Sequence, residues 1–256
     1  MRSFKKNILL VFLFTGLTLF FYSSLYLLYN QKTVNCYLVR ISHMEELQHN
    51  IYISPAANEE QRSQCLKFVE EAQERVGNLW GSTESDPVYI FCMNFEDYYR
   101  YGMYRTEALS RMNITGEYII ISPWAFNPDD VSHELCHAEL FARVGYANDQ
   151  KIPLWFHEGL ALMVCKDYPS SYEGYVEEWR ARSVSGRIRL DLDNITTDDD
   201  FYSSPNRSDL AYWRSGLEVS RWMSSAGNGG VLKLVELINK GNDFHYSYEL
   251  AEGKGN

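Results

Sequence analysis

The sequence predicts an α+β domain, a small mixed or mostly antiparallel sheet packed on helices and followed by a mainly helical C-terminal part. Two observations carry this. Segments with strand character and one long helical pattern fill the first half, whereas helical periodicity dominates from Pro123 onward. A doubly wound parallel sheet would instead alternate strand and helix to the end of the chain. At 256 residues, one medium domain remains once an apolar N-terminal run is set aside.

That run comes first. Ile8 to Tyr29 is 22 residues without a formal charge, behind Arg2, Lys5 and Lys6. Its length and basic flank predict a transmembrane signal-anchor with a cytoplasmic N-terminus. A cleaved signal peptide is the rival, weakened by the absence of a small-x-small site after the run. On this reading residues 1–32 are the basic start and anchor. Residues 33–256 then form one domain outside the cytoplasm, periplasmic or at the cell surface, of a single-pass protein with the membrane as a partner.

Beyond residue 32 the chain sets 20 basic against 34 acidic side chains, a net of −14. Nucleic acid is excluded as a partner, because phosphate binding draws on clustered Lys and Arg. The five cysteines, Cys36, Cys65, Cys92, Cys136 and Cys165, leave at least one unpaired in a monomer. Buried free thiols and one or two bridges both remain open, and no CxxC pattern exists.

Val34 to Ile41 and His49 to Ser54 read as extended, with Pro55 ending the second. Asn58 to Trp80 carries Leu66, Val69, Ala72 and Val76 at helical spacing, with Gly81-Ser82 as a turn beyond. Val88 to Cys92 reads as a strand. Residues 94–116 are polar and tyrosine-rich and give no clear element; Tyr98 to Tyr104 is either a lid or ordinary packing. Glu117 to Ser122, Glu-Tyr-Ile-Ile-Ile-Ser, is the clearest strand, stopped by Pro123. Helices follow at Asn127 to Val144, Pro153 to Lys166, roughly Asp209 to Ser225, and Gly230 to Lys240, with a loop-rich stretch at 167–207.

The chemistry concentrates in His133-Glu134-Leu135-Cys136-His137. An HExxH motif binds metal only if a helix sets both imidazoles on one face. The flanks supply that helix: Asn127 is a good N-cap, Pro128 suits the first turn, Asp129 and Asp130 complement the positive helix end, and Gly145 can close it. Two imidazoles suit Zn²⁺, and a catalytic zinc needs a third protein ligand with one position left for water. The next helix, Pro153-Leu154-Trp155-Phe156-His157-Glu158-Gly159-Leu160-Ala161, offers Glu158.

HExxH followed by Pro-x-Trp-Phe-x-Glu-Gly-Leu-Ala resembles the gluzincin peptidases of the thermolysin and aminopeptidase N clan, above all the short peptidase MA-like bacterial members, over roughly residues 50 to 240. The resemblance implies a zincin-like fold and one Zn²⁺ per chain on His133, His137 and Glu158. It implies Glu134 as the general base that activates the attacking water. Tyr212, in Ala211-Tyr212-Trp213-Arg214-Ser215-Gly216, stands where similar gluzincins often carry a tyrosine for the oxyanion; with 19 tyrosines in the chain, plain packing is the competing reading.

His157, about 100° round the helix from Glu158, is left out of the ligand set. One turn after Glu158 stands Leu162 rather than an acid, so no residue orienting the histidines is identified; Glu139 and Asp130 are weak candidates. No Gly-x-Met-Glu-Asn segment is present, which disfavours an aminopeptidase. If Glu117 to Ser122 forms the sheet edge, a peptide substrate can add to it as a strand. The expected activity is zinc-dependent hydrolysis of a peptide or protein. The alternatives are a zinc-containing binding or assembly module without turnover and a zinc amide hydrolase acting on cell-wall material. Oligomeric state is not readable.

Overall fold

The computed structural model describes residues 14–18, 30–102, 108–113, 116–182, 190–227 and 229–254. The architecture is α+β around one five-stranded mixed sheet. A helix, α1 (Gln31–Tyr37), precedes a hairpin of β1 (Glu45–Gln48) and β2 (Ile51–Ile53). Asn50 makes the hairpin turn at φ 63°, a left-handed conformation that Asn tolerates better than most residues. The long α2 (Glu59–Trp80) crosses to β3 (Val88–Phe91), and α3 (Phe95–Tyr101) leads to β4 (Ala108–Asn113) and β5 (Gly116–Ile121). The strand order is β1-β2-β3-β5-β4; β2, β3 and β5 run parallel, and the two outer strands pair antiparallel to their neighbours.

Alternation along the three central strands divides the core in two. Ile51, Ile53, Tyr89, Phe91, Ile119 and Ile121 join the main core with α2 and the later helices. Tyr52, Ile90, Tyr118 and Ile120 face the other side, against Cys36 and Val39 and against Tyr98 and Tyr101 of α3. Because both faces are covered, these strands read as continuous apolar runs rather than as apolar-polar alternation. Ile119, Ile120 and Ile121 are all fully buried, each stabilising the fold by about 1.5–3 kcal/mol.

The helical half contains α4 (Pro128–Val144), the short α5 (Tyr146–Asp149), α6 (Leu154–Leu162), α7 (Tyr172–Arg182), the short α8 (Asp198–Phe201), α9 (Pro205–Ala226), α10 (Gly230–Asn239) and α11 (Phe244–Ala251). Helix α4 packs on α2, on β4 and β5, and on α6; α6 in turn packs on α9.

Several expectations are corrected. Val34 to Ile41 is not extended: it lies in α1 and a 3₁₀ turn. Local β preference loses there to packing of Cys36 and Val39 and to hydrogen bonds from Lys32 to the Gly102 carbonyl (2.5 Å) and from Asn35 to the Arg100 carbonyl (2.9 Å). Glu117 to Ser122 is not at the edge, because β4 pairs with β5 along its length and is itself the outer strand. The stretch 167–207 holds α7, α8 and the first turn of α9, and the helix carrying Glu158 ends at Leu162 rather than Lys166. Tyr98 and Tyr101 are core residues, whereas residues 103 and 104 lie outside the described residues. All five cysteines are free thiols, four of them buried.

The membrane anchor expected at Ile8 to Tyr29 is also corrected. Among the described residues no helix is long and apolar enough to cross a membrane. Helices α2 and α9 have sufficient length at 22 residues each, but charged side chains recur along both. Residues 14–18 are helical. The rest of the run lies outside the described residues. The transmembrane signal-anchor, the membrane as a partner and a single-pass, extracytoplasmic location are therefore not supported.

Candidate metal centre

Helix α4 forms as its flanking residues predict. The Asn127 side chain accepts from the Asp130 amide (2.9 Å), Pro128 opens the first turn, and Gly145 at φ 72° ends the helix. Such a cap contributes about 1 kcal/mol. Asp129 accepts from Arg75 of α2 (2.5 Å) and from the Asp167 amide (2.7 Å), which ties the helix start to two neighbouring segments. Glu139, fully buried, accepts from the amides of Glu84 and Ser85, from the Ser85 hydroxyl and from Arg143 (2.6 Å). Glu139 thus anchors the turn before β3 and does not orient His133 or His137; Asp130 meets the capping Asn127 amide instead.

His133 and His137 sit one turn apart with ring centroids 4.8 Å from each other. Their Nε2 atoms are 3.1 Å apart, and Glu158 Oε2, arriving on α6, lies 3.1 Å from His133 Nε2 and 3.7 Å from His137 Nε2. These three residues are the one group of potential metal ligands among the described residues. Tetrahedral coordination with bonds of about 2.0–2.1 Å sets ligand atoms about 3.3 Å apart, so the three separations fit one small cation.

The electrostatics favour positive charge at that point. Burial works against a charged His133, yet its contacts with Cys165 and Glu158 outweigh burial and hold its pKa well above the usual imidazole range. Burial also works against the Glu158 carboxylate; the charge of His137 and the hydrogen bonds of both histidines prevail and hold it well below the usual range. A divalent cation answers the same demand as those protons.

Glu134, 8% exposed, projects about 100° from His133 around the helix. Tyr212 comes from α9 with its ring centroid 6.2 Å from that of His133. Burial, reinforced by the charge of Glu158 and in smaller part that of Glu134, keeps the Tyr212 phenol neutral. Its approach depends on Gly159, since a Cβ there would lie 2.6 Å from the Ser215 carbonyl oxygen on α9. The glycine after Glu158 is what lets the two helices meet closely.

His157 lies beside the trio, its ring 6.1 Å from that of His137 and its Nε2 3.4 Å from the Asp149 carbonyl. Two contacts escaped the sequence reading. The Tyr202 hydroxyl donates to Glu158 Oε1 at 2.8 Å, and nothing in the surrounding Phe-Tyr-Ser-Ser signals it. Cys165 Sγ lies 3.9 Å from His133 Nδ1 and donates to the Ala161 carbonyl at 3.3 Å. No helical spacing signals it, because Cys165 lies beyond the end of α6 at Leu162.

No family model, no curated protein and no solved structure matches this chain. The likeness to gluzincins therefore rests on the motif residues alone.

Proposed function

We propose that this protein is a zinc-dependent peptidase of gluzincin type with a zincin-like fold, holding one Zn²⁺ on His133, His137 and Glu158. The observation that carries the reading is the convergence of three side-chain atoms from two helices, on the buried His137 and Glu158 and the half-buried His133, at separations of 3.1, 3.1 and 3.7 Å, beside a glutamate that takes no part in the trio. Zinc held there would supply Lewis acidity, lowering the pKa of a water to about 7 and polarising a carbonyl.

Glu134 takes a proton from the attacking water and delivers it to the leaving amine, so that one water and one peptide bond become a carboxylic acid and an amine. Tyr212, kept neutral by burial, is the hydrogen-bond donor for the oxyanion. An extended substrate adds to β4, the outer strand packed against α4, through main-chain hydrogen bonds that suit internal stretches of a polypeptide. That favours an endopeptidase.

The test is zinc content of the purified full-length chain for wild type, His137→Ala and Glu134→Gln, each then incubated with a mixed peptide library. Wild type and Glu134→Gln are expected to hold one zinc, His137→Ala none, and wild type alone to cleave. Zinc without cleavage in wild type would leave a binding module or a different amide as the account; absence of zinc would remove the proposal altogether.

A further inference from the structure

The second oxygen of Glu158 has its own partner. Oε2 faces the imidazoles, while Oε1 points away from them and meets the Tyr202 hydroxyl at 2.8 Å. An ionised carboxylate only accepts, so Tyr202 is the donor. The same hydroxyl lies 3.3 Å from that of Tyr212. With the Tyr202 proton committed to Glu158, the proton between the two phenols comes from Tyr212. Without substrate the order of donation is Tyr212 to Tyr202 to Glu158, and Tyr212 turns its single proton from Tyr202 when it serves an oxyanion.

Tyr202 is delivered by a pinned turn. Thr197 caps α8 by accepting from the Asp200 amide. Arg207 donates to the carbonyls of Asp200 (2.9 Å) and Asn194 (2.8 Å), and Ser208 donates to that of Phe201 (3.2 Å). Phe201 is fully buried and meets the Tyr212 ring edge-on at 5.0 Å. Tyr202 as a residue is 47% exposed, so the hydroxyl contact, rather than burial, is what the position provides.

We propose that Tyr202 is a positioning residue of the metal centre: by holding Oε1 it makes Glu158 a ligand through Oε2 alone. The inference rests on the reading of His133, His137 and Glu158 as metal ligands. A carboxylate released from Tyr202 is free to rotate and offer both oxygens to the cation, filling the position that water needs. The hydroxyl of Tyr212, relieved of its acceptor, keeps its place on α9.

Cobalt(II) serves as the probe, because its visible absorption is intense when four-coordinate and weak at higher coordination. The full-length chain is titrated with cobalt as wild type, Tyr202→Phe and Tyr212→Phe, and zinc affinity is measured by competition with a chelator. Tyr202→Phe is expected to bind zinc about 10–100-fold more weakly and to give weaker cobalt bands, whereas Tyr212→Phe keeps the affinity and spectrum of wild type. Melting curves check that both variants are folded. Wild-type affinity and spectrum in Tyr202→Phe would overturn the role of Tyr202 and leave the ligand set standing, as would equal losses in the two variants. A wild-type chain that takes up neither metal would overturn the ligand set itself.

Discussion

Replacing Gly159 by alanine tests how the site is built. The added Cβ would lie 2.6 Å from both the Ser215 carbonyl oxygen and Val219 Cγ2, whereas ordinary contact begins at 3.4 Å. One obstacle is backbone, so α6 and α9 must part by about 0.8 Å, a strain of the kind that costs about 1–3 kcal/mol. Alanine's better helix propensity returns roughly 0.5–1 kcal/mol of that. The net loss is about 0–2.5 kcal/mol, centred near 1 kcal/mol, with each kcal/mol lowering Tm by about 2–4 °C for a domain of this size. Because α9 carries Tyr212, turnover should also fall by about 10–100-fold.

Gly77→Ala is the matched control. It sits inside α2, where an added Cβ meets nothing within 4 Å, so the same substitution should stabilise by about 0.5–1 kcal/mol. Urea and thermal unfolding of the two variants, with turnover of a library-derived peptide, make the comparison. The reasoning fails if Gly159→Ala gains stability as Gly77→Ala does, or if it unfolds more easily while turnover is untouched.

Glu139→Ala removes a carboxylate that satisfies two amides, a hydroxyl and Arg143. Leaving those donors buried should cost about 3–5 kcal/mol in urea unfolding, while zinc content of the folded fraction stays that of wild type; a loss below about 1 kcal/mol would contradict the assignment. Glu117 is raised to about 7 by burial and by the charges of Glu139 and Asp86. Folded Glu117 therefore keeps its proton where the unfolded chain, with a pKa of about 4.3, has lost it, and stability falls as pH rises between those values. Glu117→Gln should be more stable than wild type at pH 8, with the advantage fading towards pH 4; an advantage independent of pH would refute the titration.

What was legible in the sequence is what local chemistry determines. The Asn127 cap, Pro128 and Gly145 bound α4 where expected, and the four-residue spacing of His133 and His137 sufficed to bring their Nε2 atoms together. Glu158 came from the pattern of the next helix. The missed elements lack a local signal: β4, Ala-Leu-Ser-Arg-Met-Asn, has every position half-buried and is a strand because β5 pairs with it. Helix α7 buries only Tyr175, so it shows no apolar stripe. Tyr202 reaches Glu158 across 44 residues, a meeting that no spacing encodes. Val34 to Ile41 failed for the opposite reason: a β-like composition was present, and packing against α3 overrode it.

The trio of His133, His137 and Glu158 straddles a seam. His133 and His137 belong to the helix that lies on the sheet, and Glu158 to the helix that lies on α9. A cation held by both would act as a rivet between the two halves, and its occupancy would become part of their cohesion: at a free concentration a thousand times Kd it would add about 4 kcal/mol against opening. Starved of metal, the chain should breathe along this line first, with amides of α6 and α9 exchanging with solvent sooner than those of the central strands.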